Sequence, residues 1–329
     1  PFAGMNVVLA AGTTKYKLEN GALLSADGKR LLLATDASGE YTVPQGVEYI
    51  GEYAFANSKI TSISLPASLK ELGEGAFVSS ALAAVTFADG IQLAEIKAHT
   101  FRYTSVQTVN LPASVQTVGD YAFANTAITA FTFTGKTMGD GVFANCKMLA
   151  SIVLDDGIEK MGSNTFYGCT SLKTVTLPSV KELGNYTFNG ASKLESVIFG
   201  ANATTVGTAT FASYAFDYNT YTNRYVEVPA LKTVVMPTQI SEIPMNTFYW
   251  CTGLTSINLG GATHVGEYAF ANCTSLAEVV GLEQVISVDK YAFYGCKSMN
   301  SLTLTAMERV GDWAFAIENQ TTGYTSVSM

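Results

Sequence analysis

One phenylalanine recurs along this chain and constrains its fold more than any other feature. It stands at Phe55, Phe77, Phe101, Phe123, Phe143, Phe166, Phe188, Phe211, Phe248, Phe270, Phe293 and Phe315, at intervals of 22, 24, 22, 20, 23, 22, 23, 37, 22, 23 and 22 residues. Ala, Thr or Val precedes each Phe, and Gly stands four residues before it in nine of the twelve copies, Lys97, Pro244 and Asp289 being the exceptions. The stretch Cys169 to Phe188 shows what one copy supplies. Val175 and Leu177 are two apart and share one face of a strand, with Leu172 at the turn into it. Pro178 has no N–H to give a neighbouring strand and ends the run. Val180 and Leu183 point back inward, Gly184 permits a tight bend, and Phe188 fills the middle of the coil. A coil this narrow cannot bury its own two faces, so each copy must stack on the next.

Such stacking makes one elongated repeat domain the expectation for the 329 residues, in place of two or three globular domains. Charged residues are 14% of the chain, the net charge is −8, and no basic cluster occurs, which disfavours a nucleic-acid or anionic-membrane partner and leaves a protein or a glycan. The longest apolar runs, near Met5–Ala11 and Leu31–Ala34, are too short to span a bilayer. The first residue is Pro1, so processing that removes an export signal is expected.

Residues 1–43 lack the repeat and read as a capping segment. Gly21–Ser25 and Arg30–Ala34 flank Ala26–Lys29, a β-hairpin with Asp-Gly turn chemistry that would cover the open N-terminal edge. About twelve repeats follow over 44–329. Each carries one strand, with inward sets such as Ile60/Ile63/Leu65, Val106/Val109/Leu111 and Leu254/Ile257/Leu259. The outward positions are mostly Ser and Thr, so a polar, nearly uncharged sheet face is expected.

The residues Met161-Gly162, Thr165-Phe166, Cys169, Leu172, Val175 and Leu177-Pro178 follow an I-G-x-x-A-F-x-x-C-x-x-L-x-x-V-x-L-P pattern, and Val265-Gly266, Ala269-Phe270, Cys273 and Leu276 give another good copy. This pattern resembles the BspA-like leucine-rich repeat proteins of bacterial cell surfaces. The resemblance covers about residues 44–329. It implies a leucine-rich-repeat solenoid, mainly β: a right-handed curved superhelix with one parallel β-sheet and turns or short 3-10 segments on the other side. It also implies an extracellular or cell-surface location and a non-catalytic role in adhesion to a host or matrix protein or glycan.

Chemistry-bearing residues are few. Cys146, Cys169, Cys251, Cys273 and Cys296 all lie three after the anchor Phe, where other copies hold Ser58, Ser80, Thr104, Thr126 or Ala191, so the position reads as a small-residue packing slot with buried free thiols. Stacked parallel strands hold Cβ atoms about 4.8 Å apart, against about 3.8 Å in a disulfide. The odd count and the lack of C-x-x-C spacing argue against disulfides and zinc. His99 takes a position that other copies give to Tyr or Trp, a surface ring. Gly135-Lys136-Thr137 lacks the earlier Gly of a P-loop, because Ala130 stands there. No enzyme, cofactor or metal is expected.

The 37-residue interval is the one departure from the rule. Its insertion at 212–230 carries Tyr214, Phe216, Tyr218, Tyr221 and Tyr225 with Arg224 among them, and Tyr249 and Trp250 follow the next anchor. Tyr offers large amphipathic contact area at low entropy cost, so this set reads either as a recognition surface or as a hairpin that covers its own rings. A passive spacer would need the repeats but not the insertion.

Overall fold

The computed structural model describes residues 7–34, 36–212, 230–317 and, for the backbone alone, 214–217, 222–225 and 326–328. Two compact units divide it, Pro1–Val153 and Leu154–Met329. Each is a mainly β, parallel β-solenoid, and helix among the described residues amounts to one 3-10 turn at Leu282–Gln284.

In the first unit, Tyr16–Glu19, Ala22–Ser25 and Arg30–Ala34 form an antiparallel meander. Asp27 fixes its tight turn by accepting hydrogen bonds from Ser25 Oγ at 2.6 Å and from the Lys29 amide at 3.0 Å, while Gly28 takes φ +72°. The meander merges into the solenoid. Arg30 and Leu31 pair in parallel with Tyr49–Ile50, which pairs with Glu71–Leu72. Ser38–Thr42 likewise runs parallel to Lys59–Leu65, which pairs with Ala84–Phe87. Solenoid pairing thus begins before residue 44.

The second unit repeats both arrangements. Its long strands stack as Thr174–Leu177, Ser196–Phe199 and Thr233–Val235, and again as Ser256–Asn258 on Glu278–Val280. Its two-residue strands stack as Glu242–Ile243, His264–Val265, Ser287–Val288 and Arg309–Val310. Each unit therefore carries two parallel ladders per coil, where the sequence suggested one sheet. The second ladder lies just before the glycine of the repeat, and two residues are too few to show an alternating pattern. The outward face of the long ladder is also less polar than expected, since Val153, Ile198, Val235 and Val280 are exposed among its Ser and Thr residues.

Between the ladders the anchor phenylalanines stack. Successive ring centroids lie 5.1–5.8 Å apart from Phe55 to Phe143 and 4.9–5.5 Å apart from Phe166 to Phe315. Burying each side chain contributes about 1.5–3 kcal/mol. The backbone stacks with the rings: the amide of Phe55 donates to Ala76 O, Phe77 to Thr100 O and Phe101 to Ala122 O, and in the second unit Phe188 to Thr210 O and Phe248 to Ala269 O, all at 2.7–2.9 Å. Where Thr replaces Ala before the anchor, its hydroxyl donates to the carbonyl three residues earlier at 2.6–2.7 Å, as at Thr187 to Gly184 and Thr210 to Gly207. This bond satisfies a polar atom that the coil would otherwise bury unpaired.

Gly184 acts differently from the bend expected of it. Its φ is not in the left-handed region. A Cβ there would instead meet Ser163 N at 2.3 Å and Gly162 C at 2.5 Å, so glycine lets the neighbouring coil approach. Gly73 and Gly311 are crowded in the same way. The left-handed positions lie two residues before the anchor and, in most of the described copies, two after it: Tyr53, His99, Tyr121, Tyr186, Tyr268, Tyr291 and Trp313 before it, and Asn57, Asn125, Asn145, Trp250 and Asn272 after it, all at φ +54° to +62°. The repeat imposes this backbone even on large rings.

Candidate binding site

The insertion leaves the scaffold after Ala212 and returns at Ala230. Tyr214–Asp217 and Thr222–Tyr225 pair antiparallel, with Tyr214 opposite Tyr225, Ala215 opposite Arg224 and Phe216 opposite Asn223. Tyr218 and Tyr221 lie outside the described residues, as do the side chains of Tyr214, Phe216, Arg224 and Tyr225. The coils on either side close up as though the insertion were absent. Phe211 and Phe248 stack at 5.1 Å, Ser196 pairs with Thr233 and Val197 with Val234, and the Phe211 amide donates to Thr247 O at 2.9 Å.

Tyr249 and Trp250 are half-buried and meet edge to face at 6.4 Å. Tyr249 also meets Tyr268 edge to face at 5.9 Å. Tyr249 lines a hollow of about 490 Å³ with Tyr186, Ala209, Ala212, Asn246 and Tyr268. Trp250 stands one residue beyond this lining. The hollow has a cause in the repeat. Two residues before each anchor runs a row of side chains that stack from coil to coil: His99 on Tyr121 at 5.7 Å in the first unit, and Tyr268 on Tyr291 at 5.0 Å and Tyr291 on Trp313 at 6.5 Å in the second. In the two coils flanking the insertion this row holds Ala209 and Asn246, and the missing rings leave the space. Rings are also absent at Gly75, Gly141 and Asn164, but the ring of the preceding coil lies over the glycine there, Tyr53 over Gly75 and Tyr121 over Gly141, so the sequence column alone does not single out this hollow.

His99 is one ring of that row, with Arg102 Nη1 at 3.4 Å from its Nδ1 and the Arg102 guanidinium over the Tyr121 ring. His264 lies on the short ladder. Its Nδ1 is 2.8 Å from Ser287 Oγ and its Nε2 3.1 Å from Asp289 Oδ2, while Arg309 reaches the other Asp289 oxygen at 3.2 Å. The trio has the residue types of a hydrolytic triad. Ser287 is the rung partner of His264, however, and Asp289 lies two residues beyond Ser287, so the stacking of two coils brings them together.

All five cysteines are buried free thiols. Their slot does more than admit small residues. Ser80, Thr104 and Thr126 donate to the carbonyl of their own anchor at 2.7–2.8 Å. Cys146, Cys273 and Cys296 reach instead to the anchor carbonyl of the preceding coil, Phe123, Phe248 and Phe270, at 3.0–3.1 Å. Burial pushes the Cys146 and Cys251 thiols up, Cys273 well up, and Cys296 to about 12. Among the described residues no cluster of three or more His, Cys, Asp or Glu is arranged to hold a metal, and no helix is long and apolar enough to cross a membrane.

A family model described as a BspA type leucine-rich repeat region matches residues 35–149, 134–229 and 219–325. The chain belongs to the BspA-type leucine-rich repeat family. No curated protein sequence matches it. Among solved structures it is similar to a leucine-rich repeat protein from Bacteroides ovatus, with 23% identity over 93% of this chain and 91% of that one and a TM-score of 0.53. It is also similar to one from Eubacterium ventriosum, with 15% identity over 95% and 97% of the two chains and a TM-score of 0.50. A leucine rich cell surface protein from Faecalibacterium prausnitzii gives 16% identity over 92% and 96% and a TM-score of 0.39. At these identities the first two likenesses establish the BspA-type solenoid fold alone.

Proposed function

We propose that this BspA-type chain is a non-catalytic binding protein of a bacterial cell surface, recognising a protein or glycan of a host cell or matrix through the insertion and the coil that follows it. The observation that carries this reading is the closure of the scaffold across the insertion, with Phe211 on Phe248 at 5.1 Å. A segment that the ladders and the phenylalanine stack do not need is free to serve another purpose. Its composition favours contact: five aromatic residues and Arg224 lie within twelve positions, and Tyr249 and Trp250 extend the set by one coil. The family resemblance, the acidic charge of −8 and the scarcity of catalytic groupings agree with a surface role without chemistry.

The test is a screen of the purified chain against matrix proteins and glycans, repeated with Tyr218, Tyr221 and Tyr225 changed together to Ser. Binding lost with the melting temperature unchanged supports recognition. A large drop in melting temperature, with affinity per folded molecule unchanged, makes the insertion a cover and rejects the reading. A chain that binds nothing is a spacer.

A further inference from the structure

We infer that the hollow between Tyr186 and Tyr268 is a subsite for an uncharged saccharide. This rests on the binding role proposed above and names the ligand class for one part of that region. The side chain two before the anchor runs Tyr186, Ala209, Asn246, Tyr268, so two coils without rings are bracketed by two coils with them. At about 4.8 Å per coil the bracketing positions stand roughly 14 Å apart, a cleft closed at both ends by a tyrosine. Its volume of about 490 Å³ falls within the ~300–1,000 Å³ range of small-ligand pockets.

The chemistry of the lining selects the occupant. The described residues that line the hollow, Tyr186, Ala209, Ala212, Met245, Asn246, Tyr249 and Tyr268, are all uncharged, a lining that suits an uncharged ligand. Tyr186, 41% exposed, offers a platform on which the C–H face of a pyranose can pack. Tyrosine hydroxyls and the Asn246 amide supply donors and acceptors suited to sugar hydroxyls. The backbone around the hollow is already committed: the amides of Ala209, Ala212, Asn246 and Tyr249 donate to Met245, Ala209, Glu267 and Asn246 carbonyls at 3.0–3.2 Å. An extended peptide could not add to these coils by main-chain pairing, whereas a saccharide needs only the side chains.

The test restores the missing ring. Ala209 has φ +53°, and Tyr occupies the same position at φ +54° to +58° in five other copies, so Ala209→Tyr places a side chain that the repeat already accepts. The probes are uncharged oligosaccharides of hexose and N-acetylhexosamine, with sialylated glycans and proline-rich peptides beside them. Wild-type chain should bind uncharged sugars, Ala209→Tyr should weaken that binding by about tenfold or more, equivalent to about 1.4 kcal/mol, and the triple Tyr→Ser change of the insertion should weaken it less. Should Ala209→Tyr fail to fold, Asn246→Tyr in the next coil fills the same space. Equal sugar binding by a folded ring-filled variant overturns the inference, as does binding confined to charged glycans or proline-rich peptides. A matrix protein bound through the insertion, with affinity untouched by Ala209→Tyr and no sugar bound, overturns it while the proposed function stands. No binding to any probe overturns both.

Discussion

Two rows of side chains run along the turns of this solenoid a few ångströms apart, and they obey different rules. The inner row is the anchor itself, phenylalanine in all twelve copies, stacked at 4.9–5.8 Å within each unit and buried nearly throughout. The outer row, two residues earlier, holds Tyr, His, Trp, Gly, Asn and Ala on one left-handed backbone. Inside the coil a single volume must be filled, so one residue type serves. Outside it only the backbone is specified, and the side chain is left to other demands. Variation in the inner row would signal damage. The outer row carries no ring at Gly75, at Gly141 and Asn164, and at Ala209 and Asn246, and the last two flank the insertion.

The sharpest way to break this contrast is at the inner row. Phe188→Ala removes a ring stacked on Phe166 at 5.4 Å and on Phe211 at 5.5 Å and should destabilise the second unit by about 3–5 kcal/mol. Because each coil touches only its neighbours, the damage should be local, seen as new protease cleavage around the affected coils. An unchanged denaturation curve would take Phe188 out of the core. Next in size is Gly184→Ala, whose new methyl would sit 2.3 Å from Ser163 N and must push two coils apart, at about 1–3 kcal/mol. If Gly184 only served a bend, its ordinary φ would let Ala in at no loss, and equal melting temperatures would show it.

How much of this was legible in the sequence follows the same division. The phenylalanine row was plain because one residue recurs at one spacing, and its stacking follows from a coil too thin to bury itself. The glycine column was equally visible, but its cause was misread. A bend and a close approach both demand glycine, and only the neighbouring coil at Ser163 distinguishes them. The short ladder escaped notice because pairs such as Glu71–Leu72 and Glu95–Ile96 are too brief to alternate. The left-handed positions escaped because Tyr, Asn, Gly and His share nothing in chemistry, only a backbone conformation. In the candidate site, the aromatic insertion was evident from composition, whereas the hollow beside it was not, because the ring-free pair Ala209 and Asn246 has a counterpart in sequence at Gly141 and Asn164.

The cysteine slot gives a smaller test of the inner surface. With all five thiols buried and Cys296 pushed to about 12, native chain should titrate few or no thiols near neutral pH, and five after denaturant. Raising the pH toward 12 should bring Cys296 into reaction only as that thiol ionises. Fast labelling of the native chain at pH 8 would contradict its burial beneath the Phe270 carbonyl.

The scaffold closes across the insertion without its help. Hydrogen exchange on a shortened chain tests it most directly. Removing residues 214–228, fifteen positions, returns the 37-residue interval to the 22 of the other copies. The shortened chain should melt close to the parent and keep undiminished protection of the Phe211 amide, which donates to Thr247 O, and of the Phe248 amide, which donates to Ala269 O. Loss of protection at those two amides, with the coils on either side uncoupled, would mean that the insertion holds the solenoid together.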